Sequence, residues 1–257
     1  MCISALHDHL RRLRQQDRPC IAVVATAGTT VRGAIDPMPP LAQLCREQGI
    51  WLHVDGAIGA VFALCPGTSR LMEGLASADS VTVNPQKLLG IAKTSSLLLV
   101  RDQSALLETF HTGLPYMEPS AAAAHGGELG LQGSRPAEIL KLWLGLRQLG
   151  EQGIHAVLEK ALLRRQRLQD RLDPSLLEIT SGPLHLLACA PVGADASRCE
   201  RWTAAMRQRL LDQQIMVSRP VHEGRHRIKV VLGNPHTSDA LIDQLGDQLN
   251  DISGEQA

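Results

Sequence analysis

Apolar runs and helical patterns alternate along the first 100 residues. Four apolar runs predict β-strands, at 21–25, 51–54, 81–83 and 96–100. The run at 21–25 has no polar alternation and predicts a fully buried strand. The run at 96–100 follows the run at 81–83 so closely that it predicts an antiparallel or edge strand. A helical pattern opens at Pro40 and stops at Gly49. Buried strands joined through helices predict an α/β fold, a mostly parallel sheet with flanking helices.

The pattern changes after the fourth apolar run. Residues 103–136 are rich in Gly, Pro, Ala and Ser and predict a long mobile loop, which carries Tyr116, the only tyrosine. Helical patterns follow at 136–150 and 154–172, and the basic cluster at 164–167 predicts a solvated helix face. We therefore expect a large domain over 1–150, then a connector helix and a small α+β domain over 151–257.

Composition narrows the classes of partner. The chain has no formal net charge at pH 7, which argues against nucleic acid and anionic membranes as partners. No apolar run reaches the roughly 18–20 residues that span a bilayer. Six scattered cysteines without a Cys-x-x-Cys pair, behind an N-terminus without a signal-peptide pattern, predict a cytoplasmic protein. The histidines show no zinc-ligand spacing beside these cysteines, so we expect no metal site.

Three chemically useful residues lie at or just past strand ends: Thr26, Asp55 and Lys87. Ligands of parallel sheets bind beyond the carboxyl ends of the strands. A lysine amine that condenses with an aldehyde and a carboxylate that holds a pyridinium nitrogen are the two groups a pyridoxal phosphate (PLP) site needs most. The rival Lys93 has no Asn-Pro before it. His53 is expected to face away from Asp55 and to be structural.

A set of motifs, taken together, resembles the group II PLP-dependent amino acid decarboxylases, which include glutamate, aromatic amino acid and diaminobutyrate decarboxylases. The motifs follow the family's order along essentially the whole chain. They are Ala25-Thr26-Ala27-Gly28-Thr29-Thr30, Gly33-Ala34-Ile35-Asp36-Pro37, Trp51-Leu52-His53-Val54-Asp55-Gly56-Ala57, Ala78-Asp79-Ser80, Asn84-Pro85-Gln86-Lys87, Gln132-Gly133-Ser134-Arg135, Leu140-Lys141-Leu142-Trp143 and Asn234-Pro235.

The resemblance implies a PLP-dependent transferase fold of type I, a homodimer with active sites at the subunit interface and a small-molecule amino acid substrate. It implies that Lys87 is the internal aldimine lysine and that Asp55 is the partner of the pyridinium nitrogen. Asn84 matches a position that helps to hold the phosphate. Ala57 would pack against the cofactor ring, and Thr26 would lie near the ring and the substrate.

The resemblance also points to a proton donor and to several departures from the family pattern. Tyr116 matches the loop tyrosine that protonates the substrate carbanion. Gln86, a cofactor-binding candidate, replaces the usual His, and Leu88 replaces the usual Trp. Gly56 stands where Ala is commoner. Lys229, a candidate for binding the substrate carboxylate, replaces an arginine and offers a point charge instead of a bidentate fork.

The chain begins roughly halfway into the family's length. In family members, the N-terminal half normally supplies a histidine stacked on the PLP ring, a phosphate-binding loop and much of the dimer interface. A truncated parallel sheet is expected to leave an unpaired edge and an uncovered apolar face. Three functions stay open: decarboxylation of an L-amino acid, another type I PLP lyase reaction on the same residues, and a non-catalytic, dimerising paralogue or fragment.

Overall fold

The computed structural model describes residues 1–92, 96–111, 126–134 and 136–252, and it contains two main sheets with packed helices. The elements are, in chain order, α1 (Ile3–Gln15), β1 (Ala22–Thr26), α2 (Met38–Gln48), β2 (Trp51–Asp55), β3 (Ser80–Val83), β4 (Leu97–Val100), α3 (Ser104–Phe110), α4 (Ile139–Arg171), β5 (Leu177–Ser181), β6 (Leu186–Pro191), α5 (Ala196–Asp212), β7 (Val221–His222), β8 (Arg225–His226), β9 (Ile228–Val231) and α6 (Asp239–Asn250).

The first sheet has the strand order β1-β2-β3-β4. Strands β1, β2 and β3 are parallel, whereas β4 runs antiparallel to β3 at the edge, as predicted. The register places Thr26 opposite Asp55, and Asp55 opposite Thr82. Since all three strands point the same way, these residues form one row at the carboxyl edge of the sheet. The mostly parallel α/β architecture is therefore confirmed.

Strand β1 is not fully buried, so that prediction is wrong. Its alternate residues are buried, but Ile21 beside it is 84% exposed and Val24 is 56% exposed. The reason is that β1 is an edge strand of the described sheet with only one covered face. At the other edge, Leu98 and Leu99 of β4 are also more than half exposed. Apolar side chains thus remain open to solvent at both edges.

The two predicted helices at 136–150 and 154–172 lie on either side of a kink at Gly150 within α4. Gly150 interrupts it with φ 62° and ψ 177°, a conformation that glycine adopts without strain. The part after the kink packs along α6, where Arg167 donates two hydrogen bonds to Asp243, at 2.8 and 2.6 Å. No helix in the described part of the chain is both long and apolar enough to cross a membrane.

The prediction of a solvated basic face at 164–167 is wrong for Arg164. This side chain is buried and donates to the backbone carbonyls of Pro235, at 2.9 Å, and Thr237, at 3.2 Å. The contact fastens the segment after Asn234 to α4. These hydrogen bonds offset part of the cost of burying the charged side chain.

The second sheet has the order β5-β6-β9, all antiparallel, and encloses a separate hydrophobic core with α5 and α6. All six residues of β6 are buried. This mixture of antiparallel sheet and helices agrees with a small α+β unit. The domain boundary at residue 150 stays a prediction.

The predicted loop at 103–136 contains two short stretches of regular structure. Ser104–Phe110 is helical (α3), and Gly126–Glu128 forms a short 3-10 helix. Tyr116 lies outside the described residues, as does Lys93. The predicted role of Tyr116 therefore rests on the sequence alone.

A charged cluster joins β5 to the hairpin before β9. Arg227 is fully buried, and its Nη2 donates to Glu178 Oε1 at 2.6 Å, while Arg225 Nη2 donates to Glu178 Oε2 at 2.9 Å. The hydrogen bond from Arg227 is the main cause that lowers the pKa of Glu178 below its ordinary value of 4.5.

This depressed pKa predicts acid sensitivity. The stabilisation from Glu178 is complete above pH 4.5 and is lost as the pH falls through the lower folded-state pKa. Because the side chain is 39% exposed, solvent screening limits the loss to on the order of 1 kcal/mol. Urea unfolding across this pH range should show wild type approaching the stability of Glu178→Gln at the acid end. A constant difference between the two proteins would contradict the prediction.

Candidate active site

The carboxyl edge of the first sheet presents a carboxylate in a defined orientation. Asp55 ends β2 with an exposed side chain, and its Oδ1 accepts a hydrogen bond from the backbone N–H of Ala57 at 3.1 Å. The neighbouring Thr26 ends β1, and its backbone N–H donates to Asp36 Oδ2 at 2.8 Å. One oxygen of Asp55 is therefore held by the turn, which leaves the other for a ligand.

Close backbone packing supports this edge from behind. Gly28 has φ 108°, and a Cβ on Gly59 would lie 2.4 Å from the carbonyl oxygen of Ala27. Leu184, which precedes β6, fills the space beside both glycines. The second sheet therefore braces the turns that carry the strand ends.

Gly56 is the departure that the structure explains most directly. A Cβ at this position would lie 2.5 Å from Ala60 Cβ and 2.9 Å from the carbonyl oxygen of Thr82. Gly56→Ala is therefore expected to lower the free energy of unfolding by about 1–3 kcal/mol, since the backbone must move to admit the methyl group. Urea denaturation should show this loss, whereas Gly130→Ala, which has open space, should change stability much less. Equal stabilities would contradict the packing argument.

Lys87 lies on a short 3-10 helix, Pro85–Lys87, which follows β3. Its backbone N–H donates to the carbonyl of Asn84 at 3.0 Å, and its side chain is exposed. Asn84 Oδ1 accepts from Ser96 Oγ at 3.2 Å. Gln86 Oε1 is buried, and no partner for it occurs among the described residues. This loop therefore presents one amine and one unsatisfied amide oxygen.

Lys229 of the second sheet contributes a second amine. It lies on β9 opposite Ala188 and is half-buried. Burial, and then the positive charge of Lys87, lower the pKa of Lys229. Across the described ranges, neither lysine forms an ion pair with a carboxylate. Two ammonium groups that repel each other without a counter-charge favour an anionic ligand.

His185 lies close enough to Lys229 to feel its charge, and it was not identified as a candidate from the sequence. It is 2% exposed, its ring centroid lies 5.9 Å from that of Phe62, and its Nδ1 has no partner within the described part of the chain. Burial, and then Lys229, lower the pKa of His185 to about 4, so the ring is neutral at pH 7. It stands in an apolar run without a motif, so no sequence signal distinguished it.

The predicted orientation of His53 is wrong. Residues two apart on a strand share a face, so His53 lies on the same face of the sheet as Asp55. Its Nδ1 lies 2.8 Å from Ser80 Oγ and its Nε2 lies 3.2 Å from Thr82 Oγ1. His53 thus belongs to the polar face that ends at the candidate site.

The geometry agrees with a family model. The model of the family described as "Pyridoxal-dependent decarboxylase conserved domain" matches residues 1–180, well over half of the chain. This chain belongs to the pyridoxal-dependent decarboxylase family. L-2,4-diaminobutyrate decarboxylase of Rhizobium meliloti (strain 1021) is 31% identical over 270 residues, 99% of this chain and 53% of that protein. Human cysteine sulfinic acid decarboxylase is 36% identical over 155 residues, 58% of this chain and 31% of that protein.

Solved structures share the fold. The crystal structure of mouse CSAD in apo form has a TM-score of 0.87 and 26% identity, covering 97% of this chain and 55% of that one. The Oryza sativa TDC structure with PLP and tryptamine has a TM-score of 0.86, but at 19% identity it supports the fold alone. The chain spans about half the length of the curated relatives that match nearly all of it.

The residues present fit the family's cofactor, pyridoxal 5′-phosphate. The fit rests on three observations among the described residues: one oxygen of Asp55 accepts no hydrogen bond, the amines of Lys87 and Lys229 form no ion pair, and the amide oxygen of Gln86 has no partner. The amine of Lys87 can condense with the aldehyde of the cofactor, and the positive charge of Lys229 suits an anionic ligand. The described residues contain no cluster of His, Cys, Asp and Glu that could hold a metal ion.

Proposed function

We propose that this protein decarboxylates an L-amino acid to the corresponding amine, with PLP held as an internal aldimine on Lys87. The observation that carries the proposal is the placement of Lys87 and Asp55 past neighbouring parallel strands, at the same carboxyl edge. When bound, PLP supplies an electron sink for the electrons released with CO2. Everything else that the reaction needs is binding, orientation and proton transfer.

Three groups orient the cofactor in this proposal. Asp55 would hold the pyridine nitrogen in its protonated form, because a carboxylate stabilises a nearby positive charge. Asn84 contacts the phosphate with its amide N–H, since its Oδ1 already accepts from Ser96. Ala57 and Thr26 lie beside Asp55 and are assigned to the ring and the substrate. The short Ala57 side chain leaves room for a flat ring.

Three further residues are assigned to the substrate and to polar contacts. Lys229 binds the substrate's α-carboxylate as a point charge, which is supported by its unpaired, half-buried amine. Gln86 hydrogen-bonds a cofactor or substrate donor through its free oxygen. Tyr116 protonates the α-carbon after CO2 leaves. That last assignment is supported by sequence position only.

The assembly and location follow the same proposal. We infer a homodimer with the active site at the subunit interface, by analogy with the family. A cytoplasmic location is supported by six cysteines that are all free, since such thiols persist in reducing compartments. The division into a large domain and a small C-terminal domain is supported by the two separate cores.

The test is product analysis. The purified chain with PLP is incubated with amino acids of acidic, basic and aromatic side chains, and released CO2 and amine are measured together. Equal amounts of CO2 and amine support decarboxylation. Carbon–carbon or carbon–sulfur cleavage products without CO2 would assign another lyase reaction. No turnover of any substrate by a chain that binds PLP would support the non-catalytic alternative.

A further inference from the structure

The segment that carries Lys87 is held in place by buried apolar side chains. We call residues 84–91 the lysine loop. Its side chains Leu88, Leu89 and Ile91 are buried, whereas Lys87 is exposed. The position of the Lys87 amine therefore depends on what these buried side chains contact.

Gly233, which follows β9, packs against the residue next to Lys87. A Cβ on Gly233 would lie 2.7 Å from Leu88 Cδ1, which is closer than van der Waals contact allows. The same Cβ would lie 3.4 Å from Cδ2 and 3.6 Å from Nε2 of His185, which are ordinary contact distances. The missing side chain at Gly233 thus makes room for Leu88.

His185 forms the wall on the other side of this glycine. Its buried ring lies beside Phe62, with the centroids 5.9 Å apart, and its backbone carbonyl accepts from the N–H of Leu232 at 3.0 Å. Because His185 is packed in this way, a methyl group added to the glycine would displace Leu88 instead. Leu88 is covalently joined to Lys87, so the displacement reaches the lysine.

The other end of the lysine loop is held by helix α4. A Cβ on Gly145 of this helix would overlap Ile91 Cδ1, so Ile91 packs directly onto the helix backbone. With Ile91 fixed there, the loop cannot move as a whole when Leu88 is displaced. The change is therefore concentrated near Lys87.

The contact between Gly233 and Leu88 also joins the two elements that carry the amines of the candidate site. Lys229 lies on β9, four residues before Gly233, and Leu88 directly follows Lys87. The two amines are close enough for the charge of Lys87 to lower the pKa of Lys229, although burial is the larger cause.

We propose that Gly233 is a positioning residue that fixes the Lys87 amine relative to Lys229 through Leu88. The consequence for attachment of PLP rests on the proposed function, whereas the steric contact does not. Gly233→Ala tests the contact cleanly, because the φ of Gly233 is outside the left-handed region and alanine adds only its methyl group.

The first experiment follows the Lys87 amine in the cofactor-free protein. The lysines are reductively methylated with ¹³C-formaldehyde, and Lys87→Arg assigns the methyl signal of Lys87 in the NMR spectrum by its absence. Gly233→Ala should shift this signal in the wild-type background but not in Leu88→Ala, whose shorter side chain leaves room for the methyl group. The matched control is Gly153→Ala on α4, whose Cβ would lie 3.4 Å from Leu149 Cβ, and it should leave the signal in place.

Two results of this experiment would overturn the proposal. One is a Lys87 signal that Gly233→Ala does not move, and the other is an equal shift with and without the Leu88 side chain. If Gly233→Ala does not fold, recovery of folding in the double variant Leu88→Ala/Gly233→Ala supports the steric contact. A double variant that also fails to fold contradicts it.

The second experiment measures the initial rate at which PLP attaches to Lys87. The amine and the aldehyde form a C=N bond and release one water, hydride from borohydride then reduces this bond, and mass spectrometry quantifies the labelled peptide. Gly233→Ala should attach PLP about tenfold more slowly, because a small displacement of a reacting group strongly lowers its rate. In the Leu88→Ala background, the same change should have little effect.

The outcomes separate this proposal from the proposed function. A shifted Lys87 signal together with an unchanged rate of attachment would overturn the positioning role and leave the proposed function intact. If wild type attaches no PLP to Lys87, the proposed function fails, and the methyl signal of Lys87 alone decides whether Gly233 positions the amine.

Discussion

Lys87→Ala is expected to abolish covalent attachment of PLP and to lower the rate of amino acid decarboxylation by about a thousandfold or more. No other side chain in the described part of the chain combines an exposed amine with a position just past the strand that neighbours Asp55. Without the amine, the cofactor binds only through non-covalent contacts, and release of the product amine loses its nucleophile.

The matched control removes a lysine that lies away from the candidate site. Lys160→Ala removes an exposed lysine from α4, far along the chain from the strand ends, and should keep wild-type activity. CO2 release is measured with PLP in excess, so that weaker binding alone cannot explain a loss. Activity of Lys87→Ala within tenfold of wild type would show that another amine performs the reaction. Lys229 would be the first lysine to test, because the charge of Lys87 already affects its pKa.

Asp55→Asn is expected to lower kcat about a hundredfold and to weaken PLP binding at least tenfold. Asparagine keeps the shape and the acceptor for the Ala57 N–H, but it removes the negative charge. The ring nitrogen then loses the partner that keeps it protonated, and the ring withdraws electrons less effectively. Thus the chemical step suffers as well as binding.

Asp170→Asn is the matched control for the loss of one carboxylate. Asp170 is exposed on α4 and accepts from Gln166 Nε2 at 2.7 Å, away from the first sheet. Both variants should unfold at urea concentrations close to that of wild type, since neither side chain is buried. If kcat and PLP affinity of Asp55→Asn equal those of wild type, Asp55 is not the partner of the ring nitrogen.

The first sheet could be predicted from the sequence because short apolar runs and the connections between them define its strands. Parallel strands β1 to β3 and the edge strand β4 follow from apolar runs and from short connections, and Gly49 ends α2 in the left-handed conformation expected of a C-cap. The error at β1 has a physical cause. An apolar run shows that side chains can be buried, but whether a neighbour covers both faces depends on tertiary contacts.

Features that depend on distant contacts were not visible in the sequence. The sequence places Arg164 on a charged helix face, yet its side chain donates hydrogen bonds to backbone carbonyls of a segment about 70 residues later. His185 becomes part of the site only because β6 lies next to β9, which carries Lys229. The orientation of His53 was predictable from the two-residue period of a strand, and the expectation that it faces away from Asp55 misapplied that period.

Chemical trapping can show whether Lys87 carries the cofactor. The wild-type chain is mixed with PLP, its absorbance spectrum is recorded, the imine is reduced with borohydride, and the modified peptide is identified by mass spectrometry. We expect a visible imine band that disappears on reduction and a pyridoxyl group on Lys87. A band without label on Lys87, or no band at all, would contradict the claim that these residues form the cofactor site.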